Sequence, residues 1–200
     1  MKKTTIVILA TVGVILVFIL SIIFWYTGTY NGMVKADAQV EAQWANVENQ
    51  YQRRSDLVPN LVATVKGYAA HEQSTLEGVI EARAKATGVT IDPTNLNEQT
   101  MAQYQQVQGN LSSALSRLLV SVEQYPDLKA NQNFLDLQAQ LEGTENRIAT
   151  ERTRFNETAQ IYNTLIRKFP NNIVAGMSGF QQKPYFKAEA GAEIAPKVEF

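Results

Sequence analysis

Residues Ile6 to Tyr26 are apolar at every position except Thr11, Gly13 and Ser21. As a helix this run spans roughly 31 Å, about the hydrocarbon thickness of a bilayer. Cleaved secretory signals carry a shorter apolar core of about 7–15 residues and then a small-x-small cleavage site. This run instead ends in Phe24-Trp25-Tyr26, with no Ala-x-Ala directly after it. Aromatic rings of this kind favour the membrane–water boundary. Residues 6–26 are therefore expected to be an uncleaved transmembrane anchor. Lys2 and Lys3 precede the run, and the first cation after it is Lys35, close to Asp37 and Glu41. The positive-inside tendency then leaves a short cytoplasmic N-terminus, residues 1–5, and puts everything after residue 26 on the extracytoplasmic side of the membrane.

Composition narrows what the rest can do. The chain has 18 Lys and Arg against 19 Asp and Glu, one His and no Cys. The near balance of charge argues against nucleic acid as a partner, and no polybasic lipid-binding patch is evident. Without Cys there are no disulfides, thiol nucleophiles or Cys-based zinc sites, and one His excludes His-rich metal sites. No cofactor is expected.

Hydrophobic spacing after the anchor is helical throughout. Phe134, Leu141, Ile148, Phe155, Tyr162 and Phe169 recur every seven residues, keeping one stripe towards a partner helix where a strand would alternate. That helix is expected over about 129–169, stopped by Pro170. Tyr104, Leu111, Leu118 and Tyr125 mark another, over about 97–124. Tyr125-Pro126-Asp127 leaves so short a connection that the two must be antiparallel. Upstream, one series holds Val40, Val47, Arg54, Leu61 and Tyr68, and another holds Trp44, Tyr51, Val58, Val65, Glu72 and Val79. Both stay in phase across Pro59, which predicts one long helix from about Tyr30 to Ala86. Pro59 should bend it near Ser55, whose carbonyl loses its donor; a true break into two helices is the alternative. Gly67, Gly78, Gly109 and Gly143 lie inside these patterns, and close helix approach is the expected reason.

The fold class follows: all-α, an N-terminal transmembrane helix, then an elongated antiparallel bundle of three or four helices whose first long helix is kinked. The bundle should occupy residues 27–170. Residues 171–200 read as an extended C-terminal tail, docked through Tyr185-Phe186.

Catalytic constellations are missing. His71-Glu72 resembles the start of a His-Glu-x-x-His metal motif, but Thr75 stands where the second His belongs. No Gly-x-Ser-x-Gly and no phosphate-binding Gly-rich loop occurs. What stands out is charge on apolar stripes, at Arg54 and Glu72. They lie about 27 Å apart along a helix and cannot pair with each other. Each either snorkels to water or finds a partner on another helix, with Glu142, Glu145, Arg147, Glu151 and Arg152 as candidates. Interhelical ion pairs of that kind would set register and helix order at some cost in stability. The segment Arg53-Arg54-Ser55-Asp56-Leu57-Val58-Pro59-Asn60 combines charge, a kink and freed backbone groups. It is either a docking hinge or simply a bend that wraps the helix around its bundle.

These residues also carry a resemblance. Tyr30-Asn31, Ala42-Gln43-Trp44, the stretch from Arg53 to Val62, and Lys66-Gly67-Tyr68-Ala69-Ala70-His71-Glu72 resemble the signature of the LemA family. So do Glu123 to Asn131, Thr144-Glu145-Asn146-Arg147-Ile148-Ala149, Arg154-Phe155-Asn156, Tyr162-Asn163 and Phe169-Pro170, in the same order. The likeness covers about residues 28–187. It implies a single-pass bacterial membrane protein with an α-helical bundle, and supplies no catalytic mechanism or ligand.

The functional expectation is a non-enzymatic, membrane-anchored helical scaffold or adaptor of the cell envelope that self-associates and engages an envelope protein partner. A peptide- or ligand-binding module with a groove near Pro59 is the alternative; an envelope hydrolase dependent on His71 or Glu72 is a third. Candidate partner-binding or register-setting residues are Arg53, Arg54, Asp56, Pro59, Asn60, Lys66, Tyr68, His71, Glu72, Glu145 and Arg152.

Overall fold

A computed structural model describes residues 2–69 and 72–187. Among these residues there is no strand. The elements are α1 (Lys2–Lys66), α2 (Gln73–Thr87), a 3-10 turn (Pro93–Asn95), α3 (Glu98–Val122), α4 (Pro126–Lys129), α5 (Gln132–Arg167) and α6 (Asn171–Ser178). The described residues divide into two compact units, one within 2–40 and 160–182, the other within 41–159 and 183–187. Helices α1 and α5 contribute to both.

In the larger unit the buried face of α1 is Trp44, Val47, Tyr51, Arg54, Val58, Leu61 and Val65. The spacing alternates three and four, so the two upstream series are one stripe. Helix α3 presents Met101, Tyr104, Gln108, Leu111, Leu115, Leu118 and Val122 in the same rhythm, and α5 presents Phe134, Leu141, Ile148 and Phe155. Burying several such aliphatic and aromatic side chains, at about 1.5–3 kcal/mol each, is what holds the bundle. Helix α3 starts where expected because Asn97 accepts from the Thr100 amide while the Thr100 hydroxyl accepts from the Asn97 amide. This reciprocal box satisfies two helix-end donors. Helix α4 fills the Pro126 turn, and α3 and α5 run antiparallel: Val122 lines one cleft with Phe134, and Gln105 lines another with Arg152.

The expected long helix over 30–86 is corrected. Helix α1 passes through Pro59 without interruption and ends at Lys66; after a turn through Gly67, Tyr68 and Ala69 the chain enters α2 at Gln73. The Tyr68 and Ala69 amides close the end of α1 by donating to the Val65 carbonyl at 3.0 and 2.9 Å. Helix α2 then folds back along the last turns of α1, placing Leu76, Val79 and Ala86 in one buried cluster with Val58, Leu61 and Val65. Seven-residue phase records which residues are buried and not the direction of the chain, so a hairpin whose connection preserves the count looks like a continuous helix. The glycine expectation also fails at three positions: nothing lies within 4 Å of where a Cβ would stand on Gly78, Gly109 or Gly143.

In the smaller unit, Met33, Ala36 and Val40 of α1 are buried, as are Tyr162, Asn163 and Ile166 of α5 and Val174 and Ala175 of α6. Residues 171–178 are thus helical where an extended tail was expected. Val174 and Ala175 give this segment an apolar face to bury, and Gly179 ends the helix at φ +77°, a conformation an L side chain resists. Phe169, the last member of the α5 series, is 75% exposed.

Candidate functional site

Arg54 sits in the middle of the α1 stripe with 1% of its surface exposed. Its guanidinium fork is held by two other helices. One terminal nitrogen, Nη1, donates to Ser112 Oγ at 2.6 Å and Glu145 Oε1 at 2.7 Å. The other, Nη2, donates to Gln108 Oε1 at 2.7 Å and to the Gln108 carbonyl at 3.1 Å. Tyr51, one turn earlier, lies under the guanidinium, whose carbon is 5.1 Å from the ring centroid. The Gln108 amide, in turn, donates to the Ala86 carbonyl at the end of α2. One cation therefore ties α1 to α3 and α5, and through Gln108 to α2. A planar fork with fixed donors suits this role in a way a lysine would not. Around it lies a cavity of about 100 Å³ lined by Tyr51, Arg54, Gln108, Ser112, Glu145 and Arg152, among others.

Beside this cluster is an aromatic one. Trp44 meets Tyr104 and Phe155 edge to face, with centroids at 5.2 and 5.7 Å, and stacks on Phe186 at 5.9 Å. Phe186 belongs to an extended segment, 183–187, held largely by its backbone. Asn156 reads both polar groups of Phe186, its Oδ1 accepting from the amide at 2.8 Å and its Nδ2 donating to the carbonyl at 3.0 Å. Gln105 and Arg152 both donate to the next carbonyl, that of Lys187. Arg152 also lies over the Phe186 ring, 5.0 Å from its centroid. The anticipated docking of the tail is therefore made by Phe186. Burial pushes the Tyr104 phenol well above its ordinary pKa, assisted by nearby Tyr51 and Glu48.

The third feature is at the proline. Pro59 has no N–H to give the carbonyl of Ser55, and Ser55 is buried. Arg83 of α2 donates its Nε to that carbonyl at 2.8 Å. The orphan created by the proline is thus satisfied from the neighbouring helix.

The structure gathers some of the sequence candidates and scatters others. Arg54, Glu145 and Arg152 line one cavity, and of the two outcomes open to Arg54, water or a partner on another helix, it makes the ion pair, with Glu145. Glu72 accepts from the Tyr125 hydroxyl at 3.1 Å and, among the described residues, not from a cation; the bond holds that phenol's proton on and raises its pKa. Tyr68, half exposed, accepts from Asn131 Nδ2 at 2.9 Å, and Asn131 in turn caps the start of α5. The α1–α2 turn is thereby fastened to the α3–α5 turn. Arg53, Asp56, Pro59 and Asn60 are exposed along α1, and Asp56 accepts from Gln52. Lys66 borders a separate cleft of about 450 Å³ with Val62, Gln73, Leu76, Glu77 and Ile80. His71 lies outside the described residues. Among those described, no three His, Asp or Glu side chains converge as metal ligands would. Gln108, Ser112, Arg83, Asn156 and Phe186 were not singled out in the sequence as partner-binding or register-setting. Gln108 could have been, being a polar residue at a stripe position of α3.

Fold and site define a membrane-associated, all-helical protein in which the most buried charge joins helices to one another. Its α1 is the one described helix long and apolar enough to cross a membrane. The LemA family model matches residues 43–200, and the chain belongs to that family. It is 29% identical over 195 residues to magnetosome protein MamQ 2 of Paramagnetospirillum magneticum, covering 84% of this chain and 70% of that one. It is similar to MamQ of Magnetospirillum gryphiswaldense at 29% over 189 residues, with the same coverage. To protein LemA of Metamycoplasma hominis it is 27% identical over 164 residues, 80% of this chain and 71% of the relative.

Proposed function

We propose that this protein is a membrane-anchored, non-enzymatic scaffold or adaptor of the bacterial cell envelope that self-associates. In this reading residues 6–26 cross the bilayer once, with the N-terminus cytoplasmic and the bundle outside. The observation that carries it is the use made of Arg54. A fully buried cation whose two terminal nitrogens are held by Ser112, Glu145 and Gln108 joins three helices, a structural use of the charge. A further support is the cleft of about 210 Å³ between α3 and α5, flanked by Val120 at 70% exposure and Leu135 at 43%. Exposed apolar side chains around a cleft favour a protein partner. Two relatives take their names from a cellular structure, the magnetosome, and not from a reaction. Anchoring confines copies to two dimensions and raises their effective concentration, so weak lateral contacts suffice for assembly.

Light scattering of the detergent-solubilised full chain tests the reading, together with crosslinking in intact cells. Oligomers or a recovered partner are expected; a strict monomer at high micromolar concentration with nothing crosslinked would sink it. Labelling of single introduced cysteines from either side of the membrane tests sidedness, since the chain has none of its own. The Val62–Ile80 cleft favours a second reading, a peptide-binding module. A peptide that binds there raises the melting temperature by mass action, whereas a pure scaffold does not respond.

A further inference from the structure

In the smaller unit, α6 is held against the membrane end of α1. Tyr26, the last residue of the apolar run, has its hydroxyl 3.1 Å from Ser178 Oγ, and the Tyr30 ring lies 5.6 Å from that of Phe180. These contacts set the end of α6 level with the point where the anchor leaves the apolar run. Helix α6 buries Val174 and Ala175, and its other side carries Ile173 at 49% exposure and Met177 at 75%. Those two are one turn apart and share a face. Phe169, just before the helix, is also 75% exposed. The flanking Arg167 and Lys168 are exposed, and residues 160–182 contain no Asp or Glu. Exposed apolar side chains with cations close by in sequence, on a helix held at the end of a membrane anchor, are what an interfacial helix offers to acyl chains and anionic headgroups.

We infer that α6 is a second membrane contact: Ile173 and Met177 enter the headgroup–acyl boundary of the bilayer that residues 6–26 cross, with Arg167 and Lys168 meeting anionic phospholipid headgroups. The inference rests on the anchor reading above. It gives the protein two attachments to one membrane surface, one spanning and one lying along it. A pivot at the anchor alone leaves the chain free to tilt. A second foothold removes that freedom and presents a fixed face to neighbours.

The test uses the full chain with single cysteines, Ile15→Cys, Ile173→Cys, Met177→Cys and Ala139→Cys, each carrying a nitroxide label. The proteins are reconstituted into vesicles of phosphatidylcholine and phosphatidylglycerol. Electron paramagnetic resonance then compares collisions with oxygen, which enters lipid, and with a nickel chelate, which stays in water. Labels at 173 and 177 are expected to show an oxygen-to-nickel ratio several-fold above that at exposed Ala139, approaching that at Ile15. If they match Ala139 while Ile15 is in lipid, the α6 contact is wrong and the anchor stands. If Ile15 is itself open to nickel, the anchor reading fails and takes this inference with it. Labels at 173 and 177 shielded from both reagents would overturn the lipid assignment in favour of a second copy. As a further check, Met177→Glu should raise nickel access at a label on residue 173; no change counts against the contact.

Discussion

The contact between Arg83 and the Ser55 carbonyl allows a prediction with a built-in control. Replacing Arg83 with Met keeps most of the aliphatic stem over the α1–α2 interface and removes the donor to that carbonyl, now 2.8 Å from Nε. Ser55 is 2% exposed, so water does not readily take the place of the guanidinium. Leaving a buried acceptor unpaired costs about 1–3 kcal/mol. Now substitute Pro59→Ala. Alanine supplies the missing amide from within the helix, four residues after Ser55, and the carbonyl no longer depends on α2. In that background Arg83→Met should cost only the few tenths of a kcal/mol typical of a partly exposed side chain. The coupling between the two sites is therefore about 1–2 kcal/mol, read from a double-mutant cycle of urea unfolding on the solubilised full chain. Side-chain packing alone predicts no such coupling. If Arg83→Met is equally costly with the proline in place and in the Pro59→Ala background, the arginine is not there for the carbonyl, and the account of how α1 tolerates its proline is wrong.

Further outcomes follow from the same geometry. Arg54→Leu should keep helicity by circular dichroism yet cost about 1–3 kcal/mol, because Gln108 loses its partner in a buried site while the 44%-exposed Glu145 turns to water; an unchanged unfolding curve and an unchanged oligomer would refute the register role. Phe186→Ala should free residues 183–187 and cost about 3 kcal/mol or more, as large-to-small core changes do. Limited trypsin digestion should then cut at Lys187 much faster, and Asn156→Ala should give a milder version of the same result. Tyr104 sets an alkaline limit. Its folded pKa lies above the unfolded value of about 10, so its contribution is complete below pH 10. Above that, the unfolded state alone gives up its proton and stability falls by about 1.4 kcal/mol per pH unit. Unfolding midpoints measured from pH 8 upward should show this slope flattened in Tyr104→Phe.

How much of this was legible depends on the kind of information a residue carries. Periodicity exposed the buried faces of α1, α3 and α5 nearly residue for residue, because helix geometry repeats and burial must follow it. The same signal was blind to the reversal between α1 and α2, since it counts positions and ignores direction. It also missed α6: two turns are too few to establish a period, and Ile173 and Met177 face away from the core that buries Val174 and Ala175. The C-terminal strap was legible only as an aromatic pair; that Phe186 is the anchor follows from Asn156, thirty residues upstream.

Buried polar groups obey a different rule. A charge on an apolar stripe must either reach water or be paired, so the position of Arg54 already stated that it needs one or the other, and Glu145 was among the residues able to serve as partner. Gln108 sits on the α3 stripe between Tyr104 and Leu111 and makes the same statement more quietly, as an amide needing both a donor and an acceptor. Arg54 supplies the donor and the Ala86 carbonyl the acceptor. Arg83 is the opposite case. Nothing marks it in the sequence, because the group it serves is a backbone carbonyl exposed by the absence of an atom at Pro59. The rule that a proline frees the carbonyl four residues earlier identified the need. Only the hairpin, by carrying residue 83 alongside residue 55, could name what fills it.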